Sequence, residues 1–457
     1  MLLPDVFERF TERSPLSVMA QGAIEYALSE SALNQVFEDN AEGQYTRELL
    51  FSSVFDLMSV VVTGSYASVC SAYQDLEESI PVSLTSVYNK LQGIEANVSA
   101  ELVRYTAGRL LPVQRLVHGM SNPWLPGYTV RMLDGDHLAA TQHRLKETRH
   151  EAAAPLPGQA LVLYNPEADL VTDVLLEEDG HAQERSLLDD VIGRLKAKDL
   201  LVADRNLCVR AFLLGIIAQG AFFAIREHAQ VPWEAAGKLR RLGRTEGGRL
   251  REQRVSIRND KGELVYLRRV VVELDEPTRD GDTFIAVLCN LPEEDADARA
   301  VAKLYRRRWT IEHAFEDLAV ALECEINTLC YPKAALFGFC VGLVVYNLMG
   351  VVKGALRGVH GPDEAEQMSA YYMADEMGGV YRGMMIAIPE PQWRIFAQMS
   401  AQDFACTLTQ LAKKINLERF RKHTRGPKKP TGKRHYDPAH PHVSTARILH
   451  RRKLENA

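Results

Sequence analysis

The sequence has no pair of cysteines at C-x-x-C spacing. Its seven cysteines (Cys70, Cys208, Cys289, Cys324, Cys330, Cys340 and Cys406) are odd in number and scattered. That pattern excludes a zinc ribbon and a disulfide framework, and fits buried thiols in a reducing cytosol; a cytoplasmic protein is expected. The N-terminus lacks the basic-then-apolar pattern of a signal peptide. Long uncharged runs are scarce as well. Ala334–Val352 (AALFGFCVGLVVYNLMGVV) is the one stretch of 19 residues without a charge, close to the minimum for a membrane span. It carries Asn347, Gly338, Gly342 and Gly350 and has no second run beside it. It therefore reads as a core helix packing closely through its glycines, and no membrane is expected.

Bulk composition decides little, because 46% hydrophobic and 25% charged residues are ordinary globular values. A chain of 457 residues has room for two or three domains. The distribution of charge is more telling. The formal net charge is -6, yet Glu418 to the end holds 12 lysines and arginines against 3 acids, leaving the rest of the chain at -15. A basic tail on an acidic body suits a polyanionic partner, and equally suits a disordered solubilising terminus.

Residues 1–115 read as helical throughout, with no strand-like alternation. Within them Ser65–Glu77, a break at Ser79–Val82 and Ser83–Ile94 resemble a helix-turn-helix. Its second helix would present Thr85, Ser86, Asn89 and Lys90 to phosphates or base edges; plain helical packing explains the same pattern. The texture changes at Tyr128. Strands are expected at Tyr128–Asp134, Ala160–Asn165 and Leu170–Glu178, a helix at Glu184–Lys198, a buried strand at Asp199–Arg205, a helix at Asn206–Gln219 and a strand at Gly220–Glu227. Three strands before the first helix argue for a mixed sheet with an antiparallel start. Arg254–Arg258, Glu263–Leu274 and Thr283–Asn290 look like a small antiparallel insertion. Pro292, followed by acidic residues, starts a helix. That helix carries Leu304–Leu322 (LYRRRWTIEHAFEDLAVAL). At helical spacing Tyr305, Arg308, Glu312 and Glu316 share one face beside an apolar stripe of Leu304, Ile311, Phe315, Leu318 and Leu322. Glu312, one turn from Arg308, is either half of an ion pair or a metal ligand. Trp309 falls on the apolar edge and reads as packing. Trp124 and Trp233 lie in loops, where Trp233 is a candidate to stack on a flipped base and otherwise caps a core. The apolar helix 333–356 comes next, then helices to about Phe420 and a Pro-rich basic segment, Arg425–Pro441, expected to be extended or disordered.

Two aspartates stand out by position. Asp134 ends the first strand and Asp204 the central one, and open sheets gather their sites beyond the carboxyl ends of strands. Two strand-end aspartates and a helix glutamate could bind two divalent ions for in-line phosphoryl transfer, since Mg²⁺ and Mn²⁺ prefer hard oxygen ligands. The plain readings are a turn pair for Asp134-Gly135 and an N-cap for Asp204.

The stretch Tyr305–Glu312 (YRRRWTIE) resembles the C-terminal signature of bacterial DDE transposases of the insertion-sequence-four family. Met132–Leu138 (MLDGDHL) is similar to that family's first motif and Leu200–Leu207 (LLVADRNL) to its second. Arg425–His435 and His442–Leu449 resemble C-terminal segments of some members. The resemblance implies an RNase H-like α/β fold with a β-rich insertion, preceded by an all-helical domain and followed by helices and a basic tail. It implies that Asp134, Asp204 and Glu312 form the catalytic and metal triad for two Mg²⁺ or Mn²⁺ ions, with Asp136 the alternative first ligand. Tyr305 and Arg308 would position DNA, with Lys90, Lys428 and Lys429 as further DNA contacts. His143, Arg144 and Arg149 are candidates to meet phosphates from what reads as a solvated loop. The family's lysine seven residues after the glutamate is replaced by Ala319. The implied activity is cleavage and joining of double-stranded DNA at element ends and target by a homodimer; the alternative is a catalytically inactive, transposase-derived DNA-binding protein. The expected division is 1–115 (helical, DNA-binding), 116–228 and 292–360 (the two parts of the catalytic domain), 229–291 (insertion), 361–420 (helical) and 421–457 (basic, flexible).

Overall fold

The computed structural model describes residues 3–44, 46, 48–150, 152–278, 281–312, 314–315, 322, 324–423, 439 and 441–455. Helices occupy the chain from Asp5 to Leu116, ending in the long helix Ala96–Leu116. Strand β1 (Thr129–His137) comes next, then β2 (Pro155–Leu156), β3 (Gln159–Asn165), β4 (Leu170–Glu177), β5 (Asp199–Ala203) and β6 (Phe222–Arg226). The sheet order is β4-β3-β1-β5-β6, antiparallel across β4, β3 and β1 and parallel across β1, β5 and β6. This is the expected mixed sheet with an antiparallel start.

Every residue of β3 and β5 is buried, which is why both read as unbroken apolar runs rather than alternating ones. One face, with Leu133, Leu161, Leu201 and Phe223, packs on the helices Leu188–Arg194 and Arg210–Ala218. The other, with Val130, Met132, Val162, Leu200 and Val202, joins the larger core shared with the N- and C-terminal helices.

The insertion prolongs this same sheet. Strands β7 (Glu234–Ala235), β8 (Arg240–Thr245), β9 (Gly248–Arg258), β10 (Leu264–Leu274) and β11 (Phe284–Cys289) lie beyond β6, with β11 antiparallel to it. Sequence reading finds three of these five. β7 is two residues long, and β8 (RRLGRT) is largely exposed, so neither shows an apolar period.

The apolar run lies inside the helix Pro332–His360, which packs against Ala96–Leu116, Phe51–Val62, Ala401–Ala412 and β4. Its most apolar 18-residue window is wholly buried within the protein. Its glycines allow close approach: a Cβ on Gly342 would stand 2.3 Å from the Cys324 Cβ, and one on Gly350 would stand 2.4 Å from the Asp169 carbonyl oxygen. Asn347, fully buried, accepts from the Val171 amide at 2.7 Å and donates to the Val171 carbonyl at 2.8 Å. Strand β4 is the sheet edge, so this side-chain amide pairs backbone groups that the ladder leaves over.

The composition of the tail predicts a flexible segment. Its described residues instead fold back on the body: Val443–Ser444 (β12) pair in parallel with β2, and a helix covers Thr445–Glu455. Arg447 reaches Asp179 at 2.6 Å and Arg452 reaches Glu147 at 2.7 Å. Arg425–His435, with Lys428 and Lys429, lies outside the described residues, as do Glu316, Leu318 and Ala319.

Candidate active site

The register of β1 on β5 sets Leu133 beside Ala203, so the next residues, Asp134 and Asp204, are neighbours across two parallel strands. Side chains alternate along a strand; Asp134 and Asp136 therefore share the face of Val130 and Met132, and Asp204 that of Leu200 and Val202. Pairing with β5 stops here, because β5 gives way to the tight turn Arg205–Leu207. β1 itself continues to His137 against β3, three residues past the expected end. The aspartates thus line a crevice at the carboxyl end of the parallel strands. Gly135 points to the opposite face, where a Cβ would stand 2.4 Å from Glu184 Oε1; only glycine fits without displacing that side chain.

The third element arrives from the helix Ala298–Arg306, capped by Asp297, which accepts from the Ala300 amide at 2.7 Å. Helical spacing predicts a single helix through Glu312. The structure tightens it at Arg307–Arg308, where the Arg308 amide donates to the Tyr305 carbonyl at 2.9 Å and the Ile311 amide to the Arg308 carbonyl at 3.1 Å. These three-residue spacings are a 3₁₀-like step, and α-helical geometry resumes at Trp309. The step changes what faces where. Arg308 is buried at 8% exposure, whereas Trp309, read as packing, is 58% exposed.

Arg308 closes on two of the carboxylates. Its Nη1 lies 3.1 Å from Asp134 Oδ2 and its Nη2 lies 2.6 Å from Glu312 Oε1. Of the two readings of Glu312 from sequence, the structure shows the ion pair, on a guanidinium shared with the strand-end Asp134. Tyr305 is buried next to them. Burial pushes its hydroxyl up to about 12, Arg308 acts against that, and the charge of Asp204 adds to it. Asp134 is pushed up to about 6, first by burial and then by Glu312 and Asp204, against the pull of Arg308 and the Gly135 amide. Asp136 is pushed up to about 7 by burial, Glu325 and Asp134. Burial is the main cause of both shifts, and the neighbouring carboxylates add to it.

Among the described residues, no three acidic, histidine or cysteine side chains converge closely enough to enclose an ion; Arg308 spans the gap between two of them. In donor type and charge the set fits a hard divalent cation: carboxylate oxygens only, from two strand ends and one helix, with excess negative charge.

The other expected contacts lie elsewhere. Lys90 is half-buried with its ammonium 3.9 Å from the Phe37 ring centre, away from the crevice. Trp233 donates to Glu227 at 2.5 Å beneath the Arg269 guanidinium, a capping position. Glu325, which sequence reading passed over, accepts from the Ala139 amide at 3.0 Å and walls the site beside Asp136. An isolated acid after Cys324 offers no pattern by which to find it.

Residues 125–348, 224 of the 457, match the family described as Transposase DDE domain. The match spans Asp134, Asp204, Tyr305, Arg308 and Glu312. No curated protein matches the chain. Among solved structures, the "Cryo-EM structure of piggyBac transposase synaptic complex with hairpin DNA" is similar at 8% identity, over 93% of this chain and 90% of that one, with a TM-score of 0.40.

Proposed function

We propose, from the match of residues 125–348 to a transposase DDE domain across the sheet and the active-site helix, that this protein is a DNA transposase of the insertion-sequence-four type. It binds the terminal inverted repeats of its element, cleaves there and joins the ends to target DNA, acting in the cytoplasm as a homodimer when two ends are paired. The observation that carries this reading is the meeting of Asp134, Arg308 and Glu312, drawn from segments 174 residues apart, with Asp204 set beside Asp134 by the strand register.

Asp134, Asp204 and Glu312 would hold two Mg²⁺ or Mn²⁺ ions. When bound, such ions activate an attacking oxygen and neutralise a leaving one in phosphoryl transfer. The chain's own residues do the rest. Arg308 offers a planar fork, here closed on two carboxylates, of the kind that grips a phosphate in two places. Tyr305 packs under that fork and fixes its approach. Glu325 walls the crevice beside Asp136 with further negative charge and keeps the polyanionic substrate from entering it except where a cation offsets that charge.

The test is strand cleavage of a duplex carrying the element's end with Mg²⁺ or Mn²⁺, by the wild-type chain and by Asp204→Ala. Cleavage should vanish in the variant while end binding persists; metal-dependent cleavage by Asp204→Ala would refute the triad. Ala319 in place of the family's lysine supports a second reading, an inactive DNA-binding relative, and turnover by the wild-type chain rules that out.

A further inference from the structure

Beside the crevice runs an open groove of about 300 Å³ that the triad does not use. Its described lining includes four basic side chains, Arg144, Lys146, Arg149 and Arg452, against a single acid, Glu147. On a body whose first 417 residues carry a net -15, a concentration of positive charge there is against the general trend. Four stretches distant in sequence build it, with Thr328–Tyr331 and Ala334 forming its apolar floor. The loop leaving β1 supplies Arg144, Lys146 and Arg149, the docked C-terminal helix supplies Arg452, and the helix Leu84–Gly93 supplies Tyr88 and Gln92. Thr85 and Asn89, exposed on that helix, lie at helical spacing from Tyr88 and Gln92 and so share their side.

We infer that this groove is a second DNA-backbone site, which takes the phosphates of the duplex flanking the scissile position, and that the C-terminal segment is docked on the body to complete it. The inference rests on the transposase reading. The chain links the two places: the Ala139 amide donates to Glu325 and the Gln142 amide to the Asn327 carbonyl at 2.9 Å, so the loop leaving Asp136 and the segment after Glu325 run side by side from the crevice to the groove, which begins at Arg144 and Thr328. A rigid polyanion engaged at Asp134 and Asp204 and leaving along that path meets guanidinium and ammonium groups next. Duplex DNA supplies phosphates at regular short intervals, which several cations spread along one groove can neutralise together. Glu147 is held by Arg452 at 2.7 Å, so it orients that arginine at the groove edge and also subtracts from the groove's charge.

The test is fluorescence anisotropy of a fluorescein-labelled duplex of arbitrary sequence, across a salt series, with the full chain. Arg144→Gln/Lys146→Gln/Arg149→Gln should lower the slope of log affinity against log salt by about 2–3 and weaken binding roughly 100-fold at physiological salt. Glu147→Gln should tighten binding several-fold, a gain that a damaged fold cannot produce. Unchanged affinity and slope in the triple variant, or no tightening in Glu147→Gln, overturns the groove while leaving the transposase reading standing. Failure of the wild-type chain to bind the duplex at all counts against that parent reading and removes this inference with it.

Discussion

Replacing Arg308 by Gln removes the guanidinium that bridges Asp134 and Glu312 at 3.1 and 2.6 Å. Breaking a fully buried pair by deleting one partner costs about 3–5 kcal/mol. Here the Glu312 side chain is 38% exposed and that of Asp134 20%, and water screens what it reaches, so roughly 1–3 kcal/mol is expected. That cost comes from leaving the buried Asp134 carboxylate uncompensated and from its repulsion by Glu312 and Asp204. A divalent ion relieves the same repulsion. Denaturant unfolding in chelator and in Mn²⁺ should therefore show Arg308→Gln below wild type without metal, and the gap narrowing or reversing with it. Ligand binding to the native state alone adds about 2.7 kcal/mol at 100 times Kd, enough to be seen against this deficit. Arg308→Lys keeps the charge but not the two-pronged bridge, and should fall between. Equal stability of Arg308→Gln and wild type in chelator, or the same Mn²⁺ gain in both, refutes the view that Arg308 neutralises a cation site.

Other perturbations separate structural from functional side chains. Asn347→Leu leaves the Val171 amide and carbonyl without their buried partner, and should cost about 2–3 kcal/mol in denaturant unfolding. Trp393→Ala empties a fully buried position packed against Phe7 and Phe396 and should cost about 3–5 kcal/mol, whereas exposed Trp309→Ala should stay within about 0.5 kcal/mol. Burial raises the pKa of Asp169, but Lys353, the Tyr346 and Tyr164 hydroxyls and Arg357 outweigh it and hold the carboxyl below its ordinary range. A depressed carboxyl contributes stability above its unfolded pKa, about 3.9, and loses it as pH falls through the folded value. Asp169→Asn should accordingly flatten the acid limb of the stability profile below about pH 4. An unchanged limb would show that the cluster does not hold that carboxyl.

Much of the sheet is readable from the chain because β3 and β5 are short apolar runs bounded by turn residues, and because Asp134 and Asp204 come directly after such runs. The sequence does not contain the register. That Leu133 stands beside Ala203, and so Asp134 beside Asp204, depends on pairing across about 70 residues of intervening chain. Trp309 and Arg308 exchange their expected environments because helical spacing assumes an unbroken turn, and the 3₁₀-like step at Arg307–Arg308 rotates the residues beyond it. Lys90 has the composition of a phosphate contact, yet its long apolar stem and ammonium settle over Phe37, a choice only tertiary packing makes. The C-terminal segment is polar enough to look unstructured; its docking depends on a two-residue strand and on Asp179 and Glu147, which lie hundreds of residues earlier. The insertion strand β8 is likewise hidden by its exposed arginines.

Anomalous scattering from crystals of the chain grown with Mn²⁺ and a duplex end decides whether Asp134, Asp204 and Glu312 form one metal-binding catalytic centre. The expected map has manganese peaks among these three carboxylates, with Arg308 moved off Asp134 and Glu312. A map with ordered side chains there, Arg308 still bridging them, and no manganese in the crevice would contradict it.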